Sequence, residues 1–390
     1  MRKTLLALSV LGAFAAGSAT AADIQLYGLI NPALTFQSTN GDFEGAQTEN
    51  SLAMEEGKEF GSRFGIRAIE EISPDFKVGF VLESGFNSDT GALGKAGHIF
   101  NRESHLDLHT NYGKLSFGLM PIFGSTLGAD GLFRAIDPLF ANITYAFGSG
   151  SVTASDWTRV DNAVSYVTPT FAGLTGYAMY SLKKNGVSAG EESTAETDRY
   201  ASLGLRYQNG SFEGIVLGDM TMYGSKSSPA HETADVDNGY TVTVGGNYTF
   251  GNGLKLLAFA QYFGDQYLNT QARAGVTKAG VEYLTRTDAA NPATSKGYGY
   301  VSGYGLSLGV NYPVGNGTLK GQIAYRDMDN TDDVDFTRWF AALGYDYPLS
   351  KRTSLFAMTG FAQEKVENKP KNTEATPYGY EFTAGILHRF

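Results

Sequence analysis

Glu103, His105, Asp107 and His109 recur at every second position of one short stretch. Carboxylates and imidazoles on one strand face are the residue types that hold a metal ion or relay a proton. The spacing weighs against a metal. Same-face neighbours on one strand sit nearly 7 Å apart, from a rise of about 3.4 Å per residue. Several of them cannot hold one ion without donors from other strands, so the stretch reads as a polar wall and no metal is expected. Nucleophile chemistry has no footing either: there is no Gly-x-Ser-x-Gly, and none of the five histidines has an evident nucleophile partner. The glycine-rich run 296–305 resembles a phosphate loop only in its glycines. It precedes a strand pattern instead of opening a helix, which is the wrong context for nucleotide binding. The acid pairs Glu55–Glu56, Glu191–Glu192 and Asp332–Asp333 read as solvated loop residues, with divalent cation binding as the alternative. No enzyme activity and no cofactor are expected.

The elements around these residues repeat one unit: ten to fourteen residues of period-two hydrophobicity closed by a turn. Phe76, Val78, Phe80 and Leu82 share one face. Leu319, Gly321, Ile323 and Tyr325 point out where Lys320, Gln322 and Arg326 point in; Phe64, Ile66 and Ala68 point out where Arg63 and Arg67 point in. The stretch 254–263 is apolar on both faces. Short turns of Gly, Pro, Asn and Ser chemistry fall at 73–75, 111–113, 169–173, 209–211, 251–253, 313–317 and 348–352. Longer polar connections alternate with them at 39–58, 87–97, 121–157, 185–197, 226–237, 267–299, 329–334 and 367–376. Seven turns and eight loops divide the chain into sixteen strands. Short turns at one end and long loops at the other mark an all-β, 16-stranded antiparallel transmembrane β-barrel, with short periplasmic turns and long extracellular loops.

The termini and composition agree. Met1-Arg2-Lys3, a short apolar run and Ala19-Thr20-Ala21 form a cleavable signal peptide over residues 1–21, leaving 22–390 as a single barrel domain. No later run is long enough for a spanning helix, which takes about 20 apolar residues. Cysteine is absent, so an exported chain relies on a core or a closed hydrogen-bonded cylinder. The 49 glycines suit curved, closely packed strands, and 23 Tyr with 25 Phe suit interfacial girdles. Formal charge is −10; without Arg2 and Lys3 it is 28 basic against 40 acidic residues, −12. Nucleic acid is excluded as a partner, since it calls for a basic footprint. The final strand places Tyr380, Phe382, Ala384, Ile386, His388 and Phe390 on one face, and pairing it with 23–38 abolishes both sheet edges.

The connection 121–157 has no sustained period. At about 37 residues it far exceeds a hairpin loop of two to five. The expectation is that it folds inward, as the third loop, and narrows the lumen.

Leu26-Tyr27-Gly28, Ser62-Arg63-Phe64-Gly65-Ile66, Phe100-Asn101-Arg102, the run from Arg159 to Tyr166 with Pro169 to Gly173, and the ending His388-Arg389-Phe390 together resemble the general porins of Gram-negative outer membranes, most like the trimeric porins of beta-proteobacteria. The resemblance covers the whole mature chain. It implies a homotrimer in the outer membrane, in contact with lipid and lipopolysaccharide and inserted by the barrel assembly machinery. It implies passive diffusion of ions and small hydrophilic solutes through a water-filled pore. It also implies wall arginines facing loop acids: Arg63, Arg102 and Arg159 opposite Asp130 and Asp137, with Phe390 as the assembly signal. Leu29 stands near where the family often has a further basic residue. Strand parity groups Arg102 with Leu106 and Leu108, facing away from the lumen unless a bulge near Ser104 intervenes. The net charge leans toward cations and the arginines lean the other way. The alternatives are a substrate-specific channel on the same barrel, with Phe133, Phe140, Tyr145 and Phe147 as an aromatic ladder, a secreted all-β adhesin or binding module, and an outer-membrane lipase or protease on a smaller barrel.

Overall fold

The computed structural model describes residues 24–139, 147–154, 159–184, 189–228, 236–269, 273–288 and 290–390. The stretch 1–21, expected from the sequence to be a signal peptide, lies outside them. One antiparallel sheet runs through the first seven barrel walls as β1 (Gln25–Ile30), β2 (Pro32–Asn40), β3 (Glu49–Glu56), β4 (Arg63–Ser73), β5 (Phe76–Gly85), β6 (Glu103–Thr110), β7 (Gly113–Pro121), β8 (Arg159–Val167) and β9 (Leu174–Ser181). It continues as β10 (Arg199–Asn209), β11 (Phe212–Met222), β12 (Gly239–Thr249), β13 (Lys255–Leu268), β14 (Gly299–Val314), β15 (Gly317–Asn330), β16 (Val334–Pro348), β17 (Thr353–Asn368), β18 (Thr373–Ala375) and β19 (Tyr378–Arg389). β1 with β2, β3 with β4, and β18 with β19 are each one wall strand interrupted, so nineteen ladder segments make a closed barrel of sixteen.

Closure is explicit in the register. β19 pairs with β17 on one side and with β2 and β1 on the other, from Tyr378↔Asn40 to Leu29↔Arg389. Phe390 completes the seam: its N–H and C=O exchange hydrogen bonds of 3.1 Å with Gly28, and its ring lies over the bare Cα of Gly28. A closed ladder leaves no backbone group facing lipid unsatisfied, where each would cost several kcal/mol. The outward faces carry Leu306, Leu308, Ile323 and Leu343, all exposed.

All seven short turns lie where the sequence puts them. The first long loop does not. The chain re-enters the sheet at Glu49 and leaves it again over 57–62. That break turns inward on Gly57, at φ +70°, whose missing Cβ lets Gly61 approach closely. Asn31, fully buried opposite the break, holds it: its Oδ1 accepts from the N–H of Glu59 (2.9 Å) and Phe60 (3.0 Å). Glu59 then lies 3.7 Å from Lys320 on the far wall.

Two further loops fold into the lumen. The long connection after β7 follows the inner wall: Phe133 stacks on Phe259 of β13, Ile136 covers Gly245 of β12, and Phe147 meets Phe340 of β16 edge-on. The connection between β13 and β14 carries α1 (Lys278–Leu284) and covers its own barrel; Val276 packs on Gly379, and Tyr283 stacks on Phe43 at 3.9 Å. The stretch 254–263 is apolar on both faces for this reason. Leu257, Phe259 and Phe263 face inward yet are buried beneath these loops, while Leu256 and Tyr262 face out.

Candidate functional site

Four inner-wall positions converge beneath the long inward connection after β7. Arg63 opens β4 directly after the inward break, Glu83 lies near the end of β5, Arg102 precedes β6 and Arg159 opens β8. Arg102 Nε donates to Glu83 Oε1 at 2.6 Å, and Arg63 Nη1 lies 3.8 Å from the same oxygen. Tyr27 donates its hydroxyl to the other carboxylate oxygen at 3.1 Å. Arg159, paired across the ladder with Pro121, lies within electrostatic reach of Arg102, Glu83, Glu103 and Arg63. One deeply buried carboxylate thus serves a cluster of guanidinia. Removing such a partner leaves buried like charges uncompensated, at a cost of about 3–5 kcal/mol.

Arg102 reaches the lumen without a bulge at Ser104. The ladder from Glu83↔Glu103 to Phe76↔Thr110 is continuous. Arg102 stands one residue before it, where strand alternation no longer fixes the side chain. Its own N–H donates to the Glu83 carbonyl, and the side chain turns to the carboxylate.

The loop acids lie elsewhere than expected. Asp130 pairs with Lys114 at 2.5 Å, at the short-turn end of β7 and away from Pro121, where the loop leaves the strand. Asp137 is buried and accepts from the backbone N–H of Leu139 (3.0 Å) and Ser149 (2.7 Å), bracing the loop's own turn. The carboxylates beside the arginines are wall residues, Glu83 and Glu103. The sequence signal was present, since Glu83 has the inward parity of Lys77, but only the register sets it against Arg63 and Arg102. The loop instead contributes a cation. Arg134 is exposed, donates Nε–H to the Thr126 carbonyl at 2.7 Å, and has Glu103, Asp130 and Glu83 as its electrostatic neighbours. As a guanidinium it is a cation at neutral pH.

The remaining sequence candidates take structural places. His105 is clamped along its strand, Nδ1 to Asp107 at 2.9 Å and Nε2 to Glu103 at 3.2 Å. Leu29 sits opposite Arg63 in the ladder and is buried. Phe133 and Phe147 are buried against the wall, so they do not line an open path; Phe140 and Tyr145 lie outside the described residues. The loop can lie this close because the wall lacks side chains beneath it. A Cβ on Gly305 of β14 would stand 1.8 Å from the Val152 carbonyl oxygen, and one on Gly360 of β17 2.9 Å from the Phe147 ring.

The family model described as Gram-negative porin matches residues 7–367. An outer membrane porin protein of Bordetella pertussis is 28% identical over 411 aligned positions, covering 100% of both chains. Outer membrane porin protein 32 of Delftia acidovorans is 26% identical, over 94% of this chain and 90% of its own. Among solved structures, the anion-selective porin from Comamonas acidovorans superposes with a TM-score of 0.64 at 22% identity, covering 95% of this chain and 100% of that one. A trimer form of OmpT, an outer membrane protein of Vibrio cholerae, gives 0.61 at 15% identity, over 95% and 100%. At these identities the solved structures speak to the fold.

Proposed function

The chain belongs to the Gram-negative porin family, and from that premise we propose that its Arg63–Arg102–Arg159 cluster is the selectivity element of the pore. The protein is a passive channel of the outer membrane for ions and small hydrophilic solutes. Diffusion through it needs no bond chemistry, so the lumen acts only by size and field.

The observation that carries the proposal is the convergence of three wall arginines on one carboxylate beneath the inward loop. With Arg134 this narrowing, the eye of the pore, holds four guanidinia against Glu83 and Glu103, a local +2. Lys114 is paired with Asp130, so that pair adds no net charge. Anions are therefore favoured at the eye, although the mature chain is acidic throughout. The acids in the loops act at long range, where salt screens them within about 10 Å at 0.1 M. The anion-selective porin from Comamonas acidovorans shares this fold, which accords with that sign.

The assembly is proposed as a homotrimer, as in the OmpT trimer form. Residues 1–21 are proposed as a cleaved export signal, 22–390 as one barrel domain, and lipopolysaccharide and the barrel assembly machinery as partners. Conductance of the detergent-folded protein in a planar bilayer under a salt gradient tests the reading. Ohmic steps grouped in threes, with a reversal potential of anion sign, are expected. A silent bilayer, or cation sign, overturns it.

Phe390 is proposed as the signal read at insertion. Its ring and backbone both close the seam at Gly28, so the truncation has a structural cost as well. Deleting it is expected to cut outer-membrane levels several-fold while leaving export intact. Quantitative immunoblots of periplasm and outer membrane check this; unchanged surface levels contradict it.

A further inference from the structure

Three charged side chains on the neighbouring strands β15, β16 and β17 are completely buried. Arg326 of β15 faces Arg338 of β16 directly in the ladder, and Arg338 faces Glu364 of β17. Glu364 pairs with Arg326 through one oxygen and with Arg338 Nη1, at 3.1 Å, through the other. That second oxygen also accepts from Tyr298 Oη at 2.6 Å and Thr277 Oγ1 at 3.0 Å, both on the connection between β13 and β14. Placing two guanidinia opposite each other in a dry wall needs a reason, because the arrangement depends on one carboxylate.

The reason is what the guanidinia hold. Arg326 Nη1 donates to the Ser151 carbonyl, on the constriction loop, at 3.1 Å. Arg338 Nη1 donates to the Ala274 carbonyl at 3.1 Å and to Thr277 Oγ1 at 2.8 Å, on the β13–β14 connection. Arg273, from that connection, reaches across to the Gly150 carbonyl at 2.6 Å. Among the described residues, the second half of the constriction loop, 147–154, joins no strand ladder. Its described polar ties to the wall and to the neighbouring loop are these two arginine contacts and the bond from Ala154 N–H to Gln261, 2.8 Å. The β13–β14 connection is anchored outside the cluster as well, since Asn368 donates to the Leu284 carbonyl at 2.8 Å and Tyr283 stacks on Phe43.

We propose that the β13–β14 connection is a strut that fixes the constriction loop, with Arg273 as the direct tie and Glu364 as the residue that aims Arg326 and Arg338. Both are positioning residues; neither touches the permeating solute. An extracellular loop thereby sets the stiffness of the eye, and displacing it loosens the constriction. The inference rests on the channel reading given above.

Single-channel recording of the purified full-length trimer tests it. In Arg273→Ala the open-channel current noise is expected to rise several-fold and voltage-induced closure to occur at a lower voltage, with the reversal potential kept because the wall arginines are untouched. Arg273→Lys, which restores a donor to Gly150, should recover much of the quiet behaviour. Glu364→Gln should show the same phenotype more strongly where it still gives a heat-modifiable barrel; Arg273→Ala keeps the test decisive if it does not. Wild-type noise and closing voltage in Arg273→Ala overturn the strut while leaving the channel reading intact. A wild-type protein that inserts and does not conduct overturns both.

Discussion

Replacing Arg63, Arg102 and Arg159 together by alanine is expected to reverse the ion preference of the channel. One guanidinium acting on an ion about 8 Å away contributes roughly 2 kcal/mol at an effective dielectric near 20. Screening reduces that, so three removals should change the anion-to-cation permeability ratio on the order of tenfold. The direction follows from what remains: Glu83 and Glu103 then outnumber Arg134 there. Conductance should rise, because three long side chains leave the eye. Glu83→Gln is the opposite probe and should strengthen anion preference. Reversal potentials under a salt gradient check both, and the triple variant's shift should shrink at 1 M salt, where the screening length falls to about 3 Å. An unchanged reversal potential in the triple variant places the selectivity element elsewhere.

Gly305→Val is expected to lower conductance without unfolding the barrel. A Cβ at this position meets the Val152 carbonyl oxygen at 1.8 Å, and that atom is backbone. The wall strand is fixed by ladders on both sides, Leu306↔Ala260 and Leu306↔Tyr325 among them. The described part of the constriction loop has no ladder, so it must give way, and it can move only toward the open lumen. Overpacking of this kind costs about 1–3 kcal/mol, taken up by the loop and by the arginine contacts that hold it. A fall on the order of twofold is expected if conductance follows the open cross-section. Gly251→Ala, at a turn where a Cβ meets nothing, is the control. Unchanged conductance in Gly305→Val means that the loop does not define the narrowest point.

The sequence by itself determined the barrel. Its strands alternate, its turns are short and made of residues with specific backbone preferences, and both signals are local along the chain. The inward third loop was legible for a similar reason, since its length and lack of period fit no hairpin. Strand parity by itself turned Arg63 inward, whereas Arg102 and Arg159 entered only through the family resemblance.

Only the tertiary structure decided which acids meet those arginines. Glu83 and Glu103 face each other through β5–β6 register, and register depends on the closed ladder. Parity misplaced Arg102 because alternation holds only inside a ladder, and Arg102 stands one residue outside it. The doubly apolar stretch 254–263 had no reading in isolation, because its inner face is dry only once Phe133 lies on Phe259. The inward break at 57–62 and the Arg326–Arg338–Glu364 cluster were hidden for the same physical reason. Their partners, Asn31 and the loops carrying Ser151 and Ala274, lie in distant stretches of the chain, and only closing the barrel sets them side by side.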